Sequence, residues 1–168
     1  IYKDLYPDRE QNYNYIPKTL IFAKSDAHAT NIVKILREQI FPEQGEKFVQ
    51  KITHSAGDTN ALIREFRNDK DFRIAVTVTL VATGTDVKPL EVLVFMRDVK
   101  SEALYVQMKG RGVRTVQDDV LRNVTPNATS KDCFYLIDAV GVTEHEKSIP
   151  PIDGGENRVN IPLKDLLE

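Results

Sequence analysis

Thr19-Leu-Ile-Phe-Ala23, followed by Lys24-Ser25-Asp26, is the stretch that decides the fold. A short, almost continuous apolar run without polar alternation marks a strand buried on both faces. The turn after it offers Ser25 or Asp26 as a helix N-cap, because a short side-chain oxygen there accepts a backbone N–H that the first helical turn leaves unpaired. From Ala27 to Ile40 apolar residues fall at Ala29, Ile32, Val33, Leu36 and Ile40, the stripe of a helix with one packed face. Pro42 and Gly45 stop it.

The same alternation continues along the chain. Phe48 to Thr53 is a more polar strand ending at His54-Ser55, and Asp58 caps a helix carrying Ala61, Leu62, Glu65 and Phe66. Strands follow at Phe72 to Val78, Glu91 to Met96 and Cys133 to Asp138, with a helix from Ser101 between the last two. Strands alternating with helices in this way predict an α/β fold, a doubly wound and mainly parallel sheet flanked by helices. Residues 1–17 read as a linker or surface strap, 18–140 as the folded domain, and 141–168 as an extended tail or linker with a candidate short helix at Ile161 to Leu167. Gln117 to Lys131 is polar and reads as a surface excursion.

Composition bounds the function classes. A chain of 168 residues is long enough for a substantial single core, and 41% hydrophobic with 29% charged residues is the make-up of a soluble globular domain. A net charge of -2 gives no global pull toward nucleic acid, so such binding would need a local patch. Cys133 is the only cysteine, which excludes an intrachain disulfide, and its apolar surroundings predict a buried, inert thiol. No stretch approaches the roughly 20 apolar residues of a membrane span and no signal-peptide pattern is present, so no membrane partner and a cytoplasmic location are expected. A start at Ile1 rather than Met suggests a piece of something longer.

In a doubly wound sheet ligands gather beyond the carboxyl ends of the strands. The residues that follow the strands are Lys24 and Ser25, His54 and Ser55, Thr79 to Asp86, and Arg97 to Lys100. Hydroxyl-bearing, small and basic groups collected at one rim point to phosphate chemistry. Thr77, Thr79, Thr83 and Thr85 could reach phosphate oxygens, though threonine is also common in strands. Asp86 could accept from ribose hydroxyls or hold an arginine. Gln107-Met-Lys-Gly-Arg-Gly-Val-Arg114 adds Arg111 and Arg114, three apart, which helical spacing would put on one face. Guanidinium forks bind polyphosphate oxygens in bidentate fashion, and Gly110 and Gly112 would let a partner approach the backbone. The plain alternative is a helix C-terminus, where glycine and basic residues gather anyway.

What is missing is as informative. No stretch matches Gly-x-x-x-x-Gly-Lys-Ser/Thr, no carboxylates cluster at metal-ligand spacing, and His28, His54 and His145 lie far apart in sequence. Arginines fit for a phosphoryl transition state, without groups for the nucleotide and magnesium, suit a paired-domain NTPase in which one domain lends arginine fingers to the other's site.

Lys18-Thr-Leu-Ile-Phe-Ala-Lys-Ser-Asp-Ala-His-Ala29 resembles motif IV of superfamily 2 helicases, and His54-Ser-Ala-Gly with Arg64 and Phe66 resembles the segment leading into motif V. Ala75-Val-Thr-Val-Thr-Leu-Val-Ala-Thr-Gly-Thr-Asp86 is similar to motif V, and Gln107-x-x-Gly-Arg-Gly-x-Arg114 to motif VI. In order and spacing these span roughly residues 18 to 140 and resemble a second RecA-like motor domain, most like that of the restriction (R) subunit of type I restriction enzymes. One departure is Thr79, where many of these proteins carry aspartate. The resemblance implies that Arg111 and Arg114 face the γ-phosphate of ATP with Mg2+, bound mainly by a first motor domain. It implies that Gln107 orders that cleft, and that Gly84 and Asp86 lie near the ribose or γ-phosphate. It further implies that Ser25, His54, Ser55 and Thr83 contact double-stranded DNA through its phosphates, which positions a strand without reading sequence. Implied partners are the first motor and nuclease domains of the same polypeptide, with modification and specificity subunits. The alternatives are another superfamily 2 DNA repair or RNA helicase, or a non-catalytic nucleic-acid-binding module. Arg111 and Arg114 are expected to lie exposed at the sheet's rim.

Overall fold

A computed structural model describes residues 2–10, 12–53, 58–79, 86–144 and 147–148. Five strands, β1 (Thr19–Ala23), β2 (Val49–Lys51), β3 (Ile74–Thr77), β4 (Val92–Met96) and β5 (Tyr135–Asp138), form one sheet in the order β2-β3-β1-β4-β5. Every neighbouring pair is parallel, with Thr19 level with both Ile74 and Val92. The opening stretch is therefore the central strand, and all five of its residues are buried.

Alternate residues of β1 feed two cores. Leu20 and Phe22 join Ala75, Leu93 and Phe95 beneath helix α3 (Thr59–Asn68) and helix α4 (Glu102–Lys109), which contribute Ile63, Phe66 and Met108. Ile21 and Ala23 join Ile74 and Val76 beneath helix α2 (Asp26–Ile35), which contributes Ala29 and Ile32. Fully buried side chains such as Phe22 and Phe66 each contribute about 1.5–3 kcal/mol by leaving water. A helix lies on each face of the sheet, as the alternation of elements predicts.

Several local expectations are corrected. The helix expected to reach Ile40 is α-helical only to Ile35. It continues as one π turn, Leu36–Ile40, closed by the Phe41 amide donating to the Leu36 carbonyl at 2.8 Å, and this turn leaves Ile40 exposed. Cys133 is exposed, not buried, because β5 begins only at Tyr135 and is an edge strand with a single neighbour, half-buried along its length. The polar excursion holds a short helix, α5 (Asp118–Val124), that buries Leu121 and Val124. The first residues include helix α1 (Tyr2–Leu5), and Tyr6 stacks edge-on against Tyr135 at 5.0 Å between centroids. Ile161 to Leu167 lies outside the described residues. Among the described residues no helix is long and apolar enough to cross a membrane.

Candidate functional site

Each of α2, α3 and α4 starts at the carboxyl edge of the sheet and runs back along it. Ser25 caps α2 by accepting from the His28 amide at 3.2 Å, Asp58 caps α3 by accepting from the Ala61 amide at 3.0 Å, and Ser101 caps α4 through the Leu104 amide at 3.3 Å. These caps satisfy donors that the first helical turns cannot pair internally. The Asp26 carboxylate joins α2 to the end of β2, accepting from Lys51 Nζ at 2.9 Å and Thr53 Oγ1 at 2.7 Å. Asp138, at the end of β5, accepts from the amides of Val140, Val142 and Thr143 and from Thr143 Oγ1, at 2.7–3.1 Å. The tight turn it closes needs Gly141, whose φ is 75°. Burial raises the Asp138 pKa, but the donors from Thr143, Val142 and Val140 outweigh it and hold the carboxyl well below the ordinary carboxylate range.

The opposite edge is built from buried charge. Lys18, Arg73 and Glu91 stand immediately before β1, β3 and β4, and each is almost wholly buried. Lys18 Nζ donates to the carbonyls of Asp69 and Phe72, both at 2.7 Å. The Arg73 guanidinium donates to the carbonyls of Ile16, Lys70 and Val124 and to Thr125 Oγ1. Glu91 pairs with Arg9 at 2.5 Å. These cations satisfy carbonyls of loops that re-enter the sheet where water does not reach, and an unpaired carbonyl there would cost about 1–3 kcal/mol.

The arginine pair belongs to this second edge, which overturns two expectations. Helix α4 ends at Lys109, so Arg111 and Arg114 lie in the turns beyond it and not on one helical face. Backbone bonds from Gly110 to Val106, Arg111 to Met108 and Gly112 to Lys109 wind the chain out of the helix. They also do not lie exposed at the carboxyl rim. Because α4 runs back along the sheet, the turn comes down beside the amino ends of β4 and β5. There a Cβ built on Gly112 would lie 2.3 Å from Phe134 Cδ2, so the bare backbone is needed for packing against the residue just before β5.

Both arginines are half-buried. Arg114 pairs with the Asp86 carboxylate, each side chain 39% exposed, so Asp86 does hold an arginine. Burial and then the neighbouring Arg114 charge lower the Arg111 pKa, with Asp86 pulling the other way. Arg111 and Arg114 thus lie near enough for each charge to act on the other, with the Asp86 carboxylate beside them. Gln107 is exposed on the last turn of α4.

Sequence reasoning missed Lys131. Its Nζ donates to the carbonyls of Gly112 at 2.9 Å, Arg114 at 2.6 Å and Lys88 at 3.0 Å. Burial lowers its pKa to about 8, against the attraction of Glu91 and Asp86. Nothing in the polar stretch around it signals a partner 17 residues upstream. Next to Asp86 is an open cavity of about 470 Å³ lined by Arg67, Lys88, Asn123 and Val120 among others. The remaining expected site residues divide. Ser25 is exposed at the carboxyl edge, the end of the sheet opposite the arginine turn. Thr77 is fully buried within β3 and cannot meet a phosphate. Gly84, His54, Ser55, Thr83 and Thr85 lie outside the described residues. Among the described residues no three His, Cys, Asp or Glu side chains are grouped to hold a metal ion.

A family model described as "Helicase conserved C-terminal domain" matches residues 4–116. The chain is 32% identical over 142 residues to the type I restriction enzyme EcoKI endonuclease subunit of Escherichia coli strain K12, covering 80% of this chain and 12% of that protein. It is 32% identical over 106 residues to the EcoAI endonuclease subunit of Escherichia coli, covering 60% of this chain and 13% of that one. The chain thus spans about an eighth of the length of these relatives. Among solved structures, a fragment described as an HsdR subunit of a type I restriction enzyme from Vibrio vulnificus YJ016 superposes with a TM-score of 0.65. It shares 22% identity and covers 90% of this chain and 28% of that one. Domain 2 of the DEAD-box helicase Mss116p, solved bound to an RNA duplex, gives 0.54 at 16% identity, covering 83% and 54%. At these identities the structures bear on fold alone, and the fold is that of RecA-like helicase C-terminal domains.

Proposed function

The chain belongs to the helicase conserved C-terminal domain family, and from that premise we propose that it is the second motor domain of an ATP-dependent DNA translocase, the R subunit of a type I restriction enzyme. In this reading residues 18–140 are the motor, 1–17 lead into it from a first motor domain of the same polypeptide, and 141–168 lead out of it. ATP with Mg2+ is held mainly by that first domain. Arg111 and Arg114 complete the site by meeting the charge that develops on the transferred phosphoryl group. Asp86 and Gln107 border the cleft, as does Gly84.

One observation carries the reading. Two half-buried guanidiniums, one of them paired with the Asp86 carboxylate, are carried on a turn that packs against Phe134 and is held by Lys131. Holding donors in place before reaction is what stabilises transition-state charge, since no reorganisation is then needed during the chemical step.

The opposite edge is assigned to DNA. Ser25 already accepts from His28 through its oxygen, leaving its hydroxyl hydrogen to donate to a backbone phosphate at the amino end of α2. His54, Ser55 and Thr83 are assigned to the same track. The parent protein is proposed to be cytoplasmic and to act with a nuclease domain and with modification and specificity subunits.

The test uses the full-length protein. Arg111→Ala and Arg114→Ala should each lower DNA-stimulated ATP turnover, by up to about 10³-fold or more, while nucleotide binding persists. Unchanged turnover in both variants would overturn the reading.

A further inference from the structure

We propose that Lys131 is the positioning residue of the arginine turn, fixing Arg111 and Arg114 relative to Asp86; this rests on the arginine-finger reading above. An ammonium has three N–H donors and no acceptor. Here all three are accounted for by main-chain carbonyls, and the three carbonyls come from two separate segments. Gly112 and Arg114 bracket the second half of the turn. Lys88 lies two residues after Asp86, the carboxylate that pairs with Arg114. One side chain therefore sets both the shape of the turn and its distance from the Asp86 segment.

The geometry also gives the Gln117–Lys131 excursion a task. Its front half is anchored to the core, with Leu121 and Val124 buried and the Val124 carbonyl and Thr125 hydroxyl held by Arg73. Ala128 is buried, and Asn127 Nδ2 donates to the Glu10 carbonyl at 3.0 Å. Its far end delivers Lys131. Phe134 follows three residues later and packs directly on Gly112. The turn is thus clamped by a polar contact on its carbonyls and an apolar contact on its Cα, both supplied by residues 131–134. Lys131 itself touches neither arginine side chain in these bonds, so its effect passes through the backbone.

The experiment measures ATP turnover in the full-length protein with Lys131→Met, which keeps the length and removes the donors. The expected result is a fall in kcat of roughly 10- to 100-fold, the scale on which a misplacement of about 1 Å acts. KM for ATP should stay within about twofold, because the nucleotide is held mainly elsewhere. Lys131→Arg, which restores donors and charge, should recover part of the loss. Combined with Arg114→Ala, Lys131→Met should add little further loss, since residues acting as a unit are not additive. An unchanged kcat in Lys131→Met while Arg111→Ala and Arg114→Ala are impaired overturns this inference alone. A loss that multiplies fully with that of Arg114→Ala, or that Lys131→Arg leaves untouched, also overturns it, because the damage would then be general. Unimpaired Arg111→Ala and Arg114→Ala variants would remove the arginine-finger reading and this inference together.

Discussion

At the carboxyl edge of the sheet the caps reach only near neighbours in sequence: Ser25 bonds three residues on, as do Asp58 and Ser101, and Asp138 bonds within five. At the amino edge Lys18, Arg73 and Lys131 reach carbonyls from 17 to 57 residues away, the Arg73–Lys70 bond excepted. The first edge is exposed and modular, each cap serving its own helix. The second is more buried and shared, its cations tying together segments distant in sequence. The first edge has cross-element bonds of its own, from Lys51 and Thr53 to the Asp26 carboxylate, from Arg97 to the Val78 carbonyl and from Ser148 to the Lys100 carbonyl, and these lie at or near the surface. In the proposed motor the division is functional. The exposed edge suits a track that grips and releases a phosphate backbone, and the buried edge suits a site whose donors must not move.

The sharpest way to break this contrast is at Arg73. Arg73→Met should cost about 3–5 kcal/mol, because it orphans carbonyls of Ile16, Val124 and Lys70 at once. Chemical denaturation reads the loss, and a cost near that of a surface cap would mean the amino edge is no different from the carboxyl one. Next in size is Gly112→Ala. The new methyl would overlap the Phe134 ring, and forced repacking of this kind costs about 1–3 kcal/mol. Placing the same change in a Phe134→Leu background should recover part of that stability, and a failure to recover would point to backbone strain rather than the ring.

On the carboxyl edge the effects shrink. Asp138→Asn should lose about 1–2 kcal/mol near neutral pH, since a half-exposed carboxylate exchanges charged for neutral hydrogen bonds. The carboxyl's folded pKa lies below its unfolded value of about 3.9, so its stabilisation is fully present above that pH and is lost as pH falls toward the folded pKa. Denaturation midpoints of wild type and variant should therefore converge in acid, and a constant gap from neutral to strongly acidic pH would contradict the assignment. Ser25→Ala should be the mildest, about 1 kcal/mol or less, as the loss of one N-cap. Amide exchange should quicken in the first turn of α2 alone, and a loss spread over the sheet would erase the distinction between the edges.

The same division separates what could be read in advance from what could not. The sequence by itself determined the five strands, their alternation with helices, a cap at Ser25 or Asp26, the caps at Asp58 and Ser101, and the family through its ordered motifs. Those properties are local: periodicity and capping depend on residues within a turn or two of one another. Even there the π turn at Leu36–Ile40 and the late start of β5 escaped, because tertiary packing sets element ends. Only the tertiary structure decided that Arg111 and Arg114 lie off the helix, at the amino edge and half-buried, with Asp86 brought to them across 28 residues. It alone turned the polar run before Lys131 into a clamp. Buried cations choose carbonyls by position in space, and the folding of the sheet brings those carbonyls together from distant segments of the chain.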